Sequence, residues 1–120
     1  MASNHISIGT DIEEISRIKS SINASCNFLN KCFLESEIDY CLSKHSPEKH
    51  FATRFCAKEA FAKALGKPCR WHDVEILNND IGKPFINLYG KLEKELKDYK
   101  IDLSMSHSRE YATAVVIIVK

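Results

Sequence analysis

Over residues 47–65 apolar positions return with a helical period. Ala57, Phe61, Ala64 and Leu65 gather on one face, while Glu59 and Lys63 lie one turn apart on a different face. Ser46 is a good N-cap, Pro47 suits the first helical position and Glu48 the first turn. Gly66 can take the left-handed conformation that closes a helix, and Pro68 stands just beyond. The pattern predicts a helix of about five turns, the longest in the chain. Ahead of it, Glu35–Ser43 has the spacing of a short helix with Ile38, Cys41 and Leu42 inward. Ser20–Lys31 is polar and asparagine-rich and reads as a loop anchored by Phe28 and Leu29.

At the N-terminal end, His5–Asp11 alternates isoleucine with small or polar residues, as a short strand does. Gly9 inside it marks a place where another backbone or a ligand approaches closely. A helix is predicted to take over at Ile12, with Ile12, Ile15, Ile18 and Ile22 on its inner face and Arg17 and Lys19 outside. Asp11 then has two readings, the N-cap of that helix or a free carboxylate at a strand end.

In the second half, Val74–Leu77 and Pro84–Leu88 flank the turn-rich Asn78–Gly82 and predict a hairpin. Tyr89, Leu92, Leu96 and Tyr99 space out an amphipathic helix with the outer pairs Glu93–Lys97 and Lys94–Asp98. Ile101–His107 alternates as a strand, with Met105 and His107 on one face and Ser104 and Ser106 on the other. Ser108–Glu110 turns the chain, and Tyr111–Val119 returns as an almost wholly apolar strand, either buried on both sides or set against a partner. The order is β-α-α-α-β-β-α-β-β, an α+β fold with an antiparallel sheet packed on a long central helix.

Composition narrows the class. The chain has 120 residues, 44% hydrophobic and 28% charged, which suits a single domain spanning 1–120. Seventeen basic residues against sixteen acidic ones give a net charge of +1, so nothing in the global charge calls for nucleic acid or a membrane surface. The longest apolar run, Ala112–Val119, is too short to span a bilayer. Five cysteines without C-x-x-C spacing read as reduced core thiols of a cytoplasmic protein, and no His/Cys spacing suits zinc.

The chemistry concentrates on three segments: Ile8–Asp11, Arg54–Gly66 and Ser104–Tyr111. Glu59 with Lys63 is a common solvent-exposed pair when alone. Asp11 and Glu59 together could hold one hard cation such as Mg²⁺, which takes one or two protein carboxylates and fills its octahedron with water and phosphate oxygens. Lys63 would then face phosphate oxygens as a fixed charge, and Arg54 could grip an anion in a fork. That set fits phosphoryl transfer. The lack of a G-x-S-x-G elbow around His107 argues against hydrolysis by a serine nucleophile, and no P-loop or dinucleotide glycine signature is present.

Ile8-Gly9-Thr10-Asp11-Ile12 with Arg17-Ile18, then Arg54-Phe55-Cys56-Ala57-Lys58-Glu59-Ala60-Phe61-Ala62-Lys63-Ala64-Leu65-Gly66, then Gly82-Lys83-Pro84, and last Ser106-His107-Ser108-Arg109-Glu110-Tyr111-Ala112 stand in order along the chain. In these segments, spanning about 6–119, the sequence resembles the holo-[acyl-carrier-protein] synthase family, the small class of 4'-phosphopantetheinyl transferases. The resemblance implies transfer of the phosphopantetheine arm of coenzyme A to a serine of apo acyl carrier protein, with release of adenosine 3',5'-bisphosphate, in fatty acid biosynthesis. It implies Asp11 and Glu59 as ligands of Mg²⁺, with Mn²⁺ as its substitute, and Lys63 as the phosphate-binding lysine. Arg17 would dock the acidic carrier, and His107, Ser108, Lys83 and Pro84 would touch the adenosine end of coenzyme A. Arg54, Lys58 and Gly66 complete the coenzyme A contacts, with Lys44 and His45 as basic residues for the 3'-phosphate, alongside Lys49 and His50. The expected assembly is a homotrimer with each site across a subunit interface. The serine proton is expected to pass to Glu59 through a water, with Asp11 and a metal-bound hydroxide as open alternatives. The competing reading is a non-catalytic carrier-binding relative of the same fold. Against the family pattern, the segment after Gly66 is short, and the first helix lacks further arginines beyond Arg17.

Overall fold

Strand pairing, rather than local periodicity, sets the first element in the computed structural model, which describes residues 5–25 and 27–120. Strand β1 (Ile6–Glu14) pairs antiparallel along all nine residues with β5 (Tyr111–Val119), from Ile6 opposite Val119 to Glu14 opposite Tyr111. The apolar β5 thus draws Ile12, Glu13 and Glu14 into the sheet, and helix α1 (Ile15–Ala24) starts three residues later than its periodicity suggests. Two expectations fall with that shift. Asp11 is not an N-cap, a position that Glu14 takes, and Ile12 lies on the outer face of the sheet, 61% exposed.

After α1 come α2 (Asn27–Cys32), α3 (Glu35–Leu42) and α4 (Pro47–Leu65). Most of the predicted loop at 20–31 is therefore helical, in two pieces that meet α4 through Ile18, Phe28 and Cys32. Leu42, expected inward, is 58% exposed, and the buried anchors of α3 are Cys41 and Glu37. Helix α4 ends as expected at Gly66, with φ of 86° and its N–H bonded to the Ala62 carbonyl. Ser46 occupies the N-cap position, but its hydroxyl makes no capping bond.

Beyond a 3-10 turn at Trp71–Asp73, the hairpin forms from β2 (Val74–Asn78) and β3 (Pro84–Leu88). Helix α5 (Gly90–Glu95) is shorter than its apolar spacing suggests. Strand β4 (Lys100–His107) claims the chain just after Tyr99, so Lys97 and Asp98 fall outside the helix, and neither expected outer pair forms among the described residues. Glu95 pairs with Lys67 instead, at 3.0 Å.

The main sheet has the order β1-β5-β4, and the β2-β3 hairpin stands beside β4. One face of β5, with Ala112, Ala114, Val116 and Ile118, is buried under α4 among Phe51, Phe61, Phe33 and Ile76. The opposite face is open: Ile6 and Ile8 are 67% and 63% exposed, and their β5 partners Val119 and Ile117 are only half-buried.

Strand β1 crosses α4 at Gly9. A Cβ there would lie 2.0 Å from the Ala60 carbonyl oxygen and 2.6 Å from the Ala64 nitrogen. The close approach read from the sequence is therefore backbone against backbone. Cys32, Cys41 and Cys56 are buried free thiols and Cys69 is a half-buried one, while Cys26 lies outside the described residues. Burial pushes the Cys41 thiol up to about 12, so these sulfurs behave as small apolar residues. Among the described residues no helix is long and apolar enough to cross a membrane.

Candidate active site

Side chains at alternate positions of β1 point the same way. Because the strand continues to Glu14, Gly9, Asp11 and Glu13 all face α4, and the glycine lets the two backbones close. Asp11 is brought against Lys63, whose Nζ lies 3.2 Å from Asp11 Oδ1 and 3.0 Å from the Thr10 carbonyl. The Asp11 side chain is only 9% exposed, and its Oδ2 is buried without a hydrogen-bond partner among the described residues.

Glu59, one turn before Lys63, faces the same place. Burial and the Asp11 charge raise its carboxyl above the ordinary range, against the pull of Lys63. Glu13 is pushed up to about 7. Burial is the largest cause, followed by a hydrogen-bond contact with Asp11 and the charges of Asp11 and Glu59, with Arg17 pulling the other way. Three acids thus face one another across β1 and α4. Glu13 was invisible while Ile12–Ile15 read as the start of a helix, and strand alternation carried three residues further would have found it.

A carboxylate oxygen buried without a donor among the described residues, beside two acids raised by burial and by neighbouring negative charge, suits a cation. Asp11 and Glu59 would be its protein ligands. No set of three or more His, Cys, Asp or Glu residues among those described is arranged to enclose a metal, so water and substrate oxygens would fill most of its shell, as Mg²⁺ prefers. A cavity of about 220 Å³ opens next to Glu59, lined by Ala62, Pro68, Cys69, Trp71 and Val74.

The Lys58 ammonium is turned inward, which corrects its expected place among the coenzyme A contacts. Its Nζ is buried against Glu37 Oε1 at 2.7 Å and donates to the carbonyls of Cys32 at 2.8 Å and Trp71 at 3.1 Å. Glu37 also accepts the N–H groups of Leu34 and Ile76. This knot joins α2, α3, α4 and β2, and no periodicity announces it. Removing one charge from a buried pair strands the other. Lys58→Met is expected to cost about 3–5 kcal/mol in urea unfolding. Adding Glu37→Gln should recover at least about 1 kcal/mol of that, since the amide still accepts a backbone bond and carries no charge.

Arg54 is likewise buried rather than open to solvent. One terminal nitrogen donates to Asn78 Oδ1 at 2.5 Å, the guanidinium lies 4.1 Å above the Tyr40 ring, and Nε is buried without a partner among the described residues. Lys44 stands 4.6 Å from the same ring. His107 reaches this end of α4 through His50, with ring centroids 6.4 Å apart. Lys44, Arg54 and His107 therefore gather near the start of α4, while Asp11, Glu59 and Lys63 gather nearer its end.

The remaining predicted residues join neither group by a direct bond. Lys83 pairs with Asp102 at 2.9 Å in the open, and Pro84 begins β3. Ser108 closes the β4–β5 turn, where its hydroxyl accepts the Tyr111 N–H. Gly66 caps α4, His45 is exposed, and Arg17 is exposed on α1.

A sequence model of the 4'-phosphopantetheinyl transferase superfamily matches residues 7–116. A holo-[acyl-carrier-protein] synthase of Chlamydia caviae is 53% identical over 115 residues, covering 92% of this chain and 93% of the relative. One of Clostridium novyi is 44% identical over 119 residues, covering 94% and 86%. Among solved structures, the holo-(acyl-carrier-protein) synthase of Bacillus anthracis, in complex with CoA (3',5'-ADP), superposes with a TM-score of 0.82 at 30% identity, covering 95% of this chain and 96% of that one. The Helicobacter pylori enzyme, in complex with coenzyme A, gives 0.82 at 29% identity, covering 92% and 98%.

Proposed function

The chain belongs to the holo-[acyl-carrier-protein] synthase family of the 4'-phosphopantetheinyl transferase superfamily, and on that premise we propose that it moves the 4'-phosphopantetheine group of coenzyme A to a serine of apo acyl carrier protein. Adenosine 3',5'-bisphosphate leaves, and the charged carrier serves fatty acid biosynthesis in the cytoplasm. The observation that carries this reading is Asp11, bonded to Lys63 and within the field of Glu59, with one oxygen buried and without a partner among the described residues. The relatives' coenzyme A complexes support the choice of donor.

Asp11 and Glu59 would hold Mg²⁺, with Mn²⁺ as a substitute, and the bound ion supplies charge neutralisation at the pyrophosphate. Lys63 exchanges its contact with Asp11 for an oxygen of the transferring phosphoryl group and stabilises charge developing there. The carrier serine attacks the β-phosphorus. Its proton goes to a carboxylate oxygen of Glu59 through a water, a role that suits a carboxyl raised by burial and by the Asp11 charge. Arg17, exposed on α1, meets the acidic carrier.

The site is proposed to form between copies of this chain in a homotrimer. Ile6, Ile8 and Ile12 with Val115, Ile117 and Val119 offer an apolar strip for that contact. Arg54 stands about 7.5 Å before Glu59 along α4, at 1.5 Å per residue, and in the proposed trimer a neighbouring copy completes each site.

Intact-mass measurement of an apo acyl carrier protein incubated with the chain, coenzyme A and Mg²⁺ tests the reaction. The expected result is a gain of one phosphopantetheine arm that EDTA abolishes. Carrier binding without any gain, across several carriers, would leave the non-catalytic relative as the reading.

A further inference from the structure

Two lysines of α4 hold carboxylates, and they differ in freedom. The Lys58 side chain is 2% exposed and its ammonium is bound by three acceptors, so it is fixed in place. The Lys63 side chain is 56% exposed, and two acceptors hold its ammonium: Asp11 Oδ1 at 3.2 Å and the Thr10 carbonyl at 3.0 Å. An ion pair with one partner largely in water is weak enough to exchange. Asp11 has no such freedom. It is 9% exposed, its strand is pinned to α4 at Gly9, and its Oδ2 finds no donor among the described residues.

A carboxylate oxygen beside a backbone carbonyl oxygen is a pair of donors that suits a hard cation, and here an ammonium takes both. In the electrostatic field at Glu59, Lys63 again opposes Asp11. Among the described residues no other lysine or arginine forms an ion pair with Asp11, Glu13 or Glu59. We propose that Lys63 is a built-in counter-ion that competes with the divalent cation for Asp11, so that the free chain holds the cation weakly until a pyrophosphate draws the ammonium away. The inference rests on the metal reading of Asp11 and Glu59 above and adds an order of binding to it. Cation and pyrophosphate each raise the affinity of the other by the same factor. Part of that factor then comes from Lys63 changing partner, in addition to any contact between ion and phosphate. The exchange also lets three acids face one another in the free chain without capturing a stray cation ahead of the substrate.

Titration of the full chain with Mn²⁺, with the unbound ion counted by electron paramagnetic resonance, reads the competition without turnover. Lys63→Met keeps a long, helix-favouring side chain and removes the charge. Without coenzyme A it is expected to bind Mn²⁺ at least about fivefold tighter than the parent, the lower end of ordinary coupling between sites. With coenzyme A present, and its own Mn²⁺ binding in solution subtracted, the two chains should bind the ion nearly alike. Lys63→Arg keeps a cation and should return the free chain to weak binding. Lys63→Gln replaces the methionine variant should that one precipitate. Equal Mn²⁺ affinity of parent and Lys63→Met without coenzyme A would overturn the competition and leave the metal site standing. An equal gain with and without coenzyme A would overturn it too, since that is charge repulsion with no change of partner. A parent chain that binds no Mn²⁺ even with coenzyme A would remove the metal reading and this inference together.

Discussion

Gly9→Ala is expected to leave the chain largely unfolded. The added methyl would sit 2.0 Å from the Ala60 carbonyl oxygen and 2.6 Å from the Ala64 nitrogen, both backbone atoms inside a helix that cannot yield locally. Relief requires β1 to lift from α4, which uncovers Ala60, Ala64 and the sheet face beneath. Overpacking in a tight core commonly costs about 1–3 kcal/mol. An overlap with two backbone atoms belongs in the rarer class above about 4 kcal/mol, against a total stability of about 5–15 kcal/mol. Gly82→Ala is the control. It has a φ of 86° in open space, so its cost is limited to backbone strain of about 1 kcal/mol. Urea unfolding of the two variants should separate them clearly. A Gly9→Ala chain within about 1 kcal/mol of the parent, below the usual cost of overpacking, would mean that β1 does not press on α4 at this point.

The second large effect is on rate. Glu59→Gln should lower kcat/KM for carrier modification by about 10²–10³ or more, the range for loss of one preorganised electrostatic contact to the transition state. The same variant should unfold no more easily than the parent. The folded-state carboxyl is raised by burial and by Asp11, so its ionised form is disfavoured by folding. The stability tied to this group is full at low pH and is lost as pH rises through the raised value, and the amide removes that loss at neutral pH. Opposite movements of rate and stability mark a functional residue held at a structural cost. Parent-like transfer in Glu59→Gln would remove Glu59 from the reaction.

Much of this was legible because helix α4 carries its own boundary marks. Ser46-Pro47 and Gly66-Lys67-Pro68 fixed its ends, and the Glu59–Lys63 spacing fixed the face that meets Asp11. Gly9 could be read as a close-approach position because a strand interior has little other use for glycine. What stayed hidden depended on contacts distant in sequence. Strand β5 pulls Ile12–Glu14 out of a helix that their periodicity supports, and this alone decides that Glu13 joins Asp11. The Lys58–Glu37 pair spans 21 residues, and a lysine beside Glu59 in a motif gives no sign that it faces the core. The burial of Arg54 was hidden for the same reason: its Tyr40 and Asn78 partners come from α3 and β2.

Lys58 and Glu59 are neighbours whose side chains serve opposite masters, one anchoring four elements from within and the other facing Asp11 and Lys63. A single residue deleted upstream in α4 would turn everything after it by about 100°, carrying Glu59 into the socket built for an ammonium and leaving Ala60 on the reactive face. The helix is pinned against such slippage at Gly9 and at the Glu37 socket, so its phase is fixed by the fold. Variation in length must be absorbed elsewhere, at places such as the solvent-exposed hairpin tip around Ile81, where adding a residue rotates nothing.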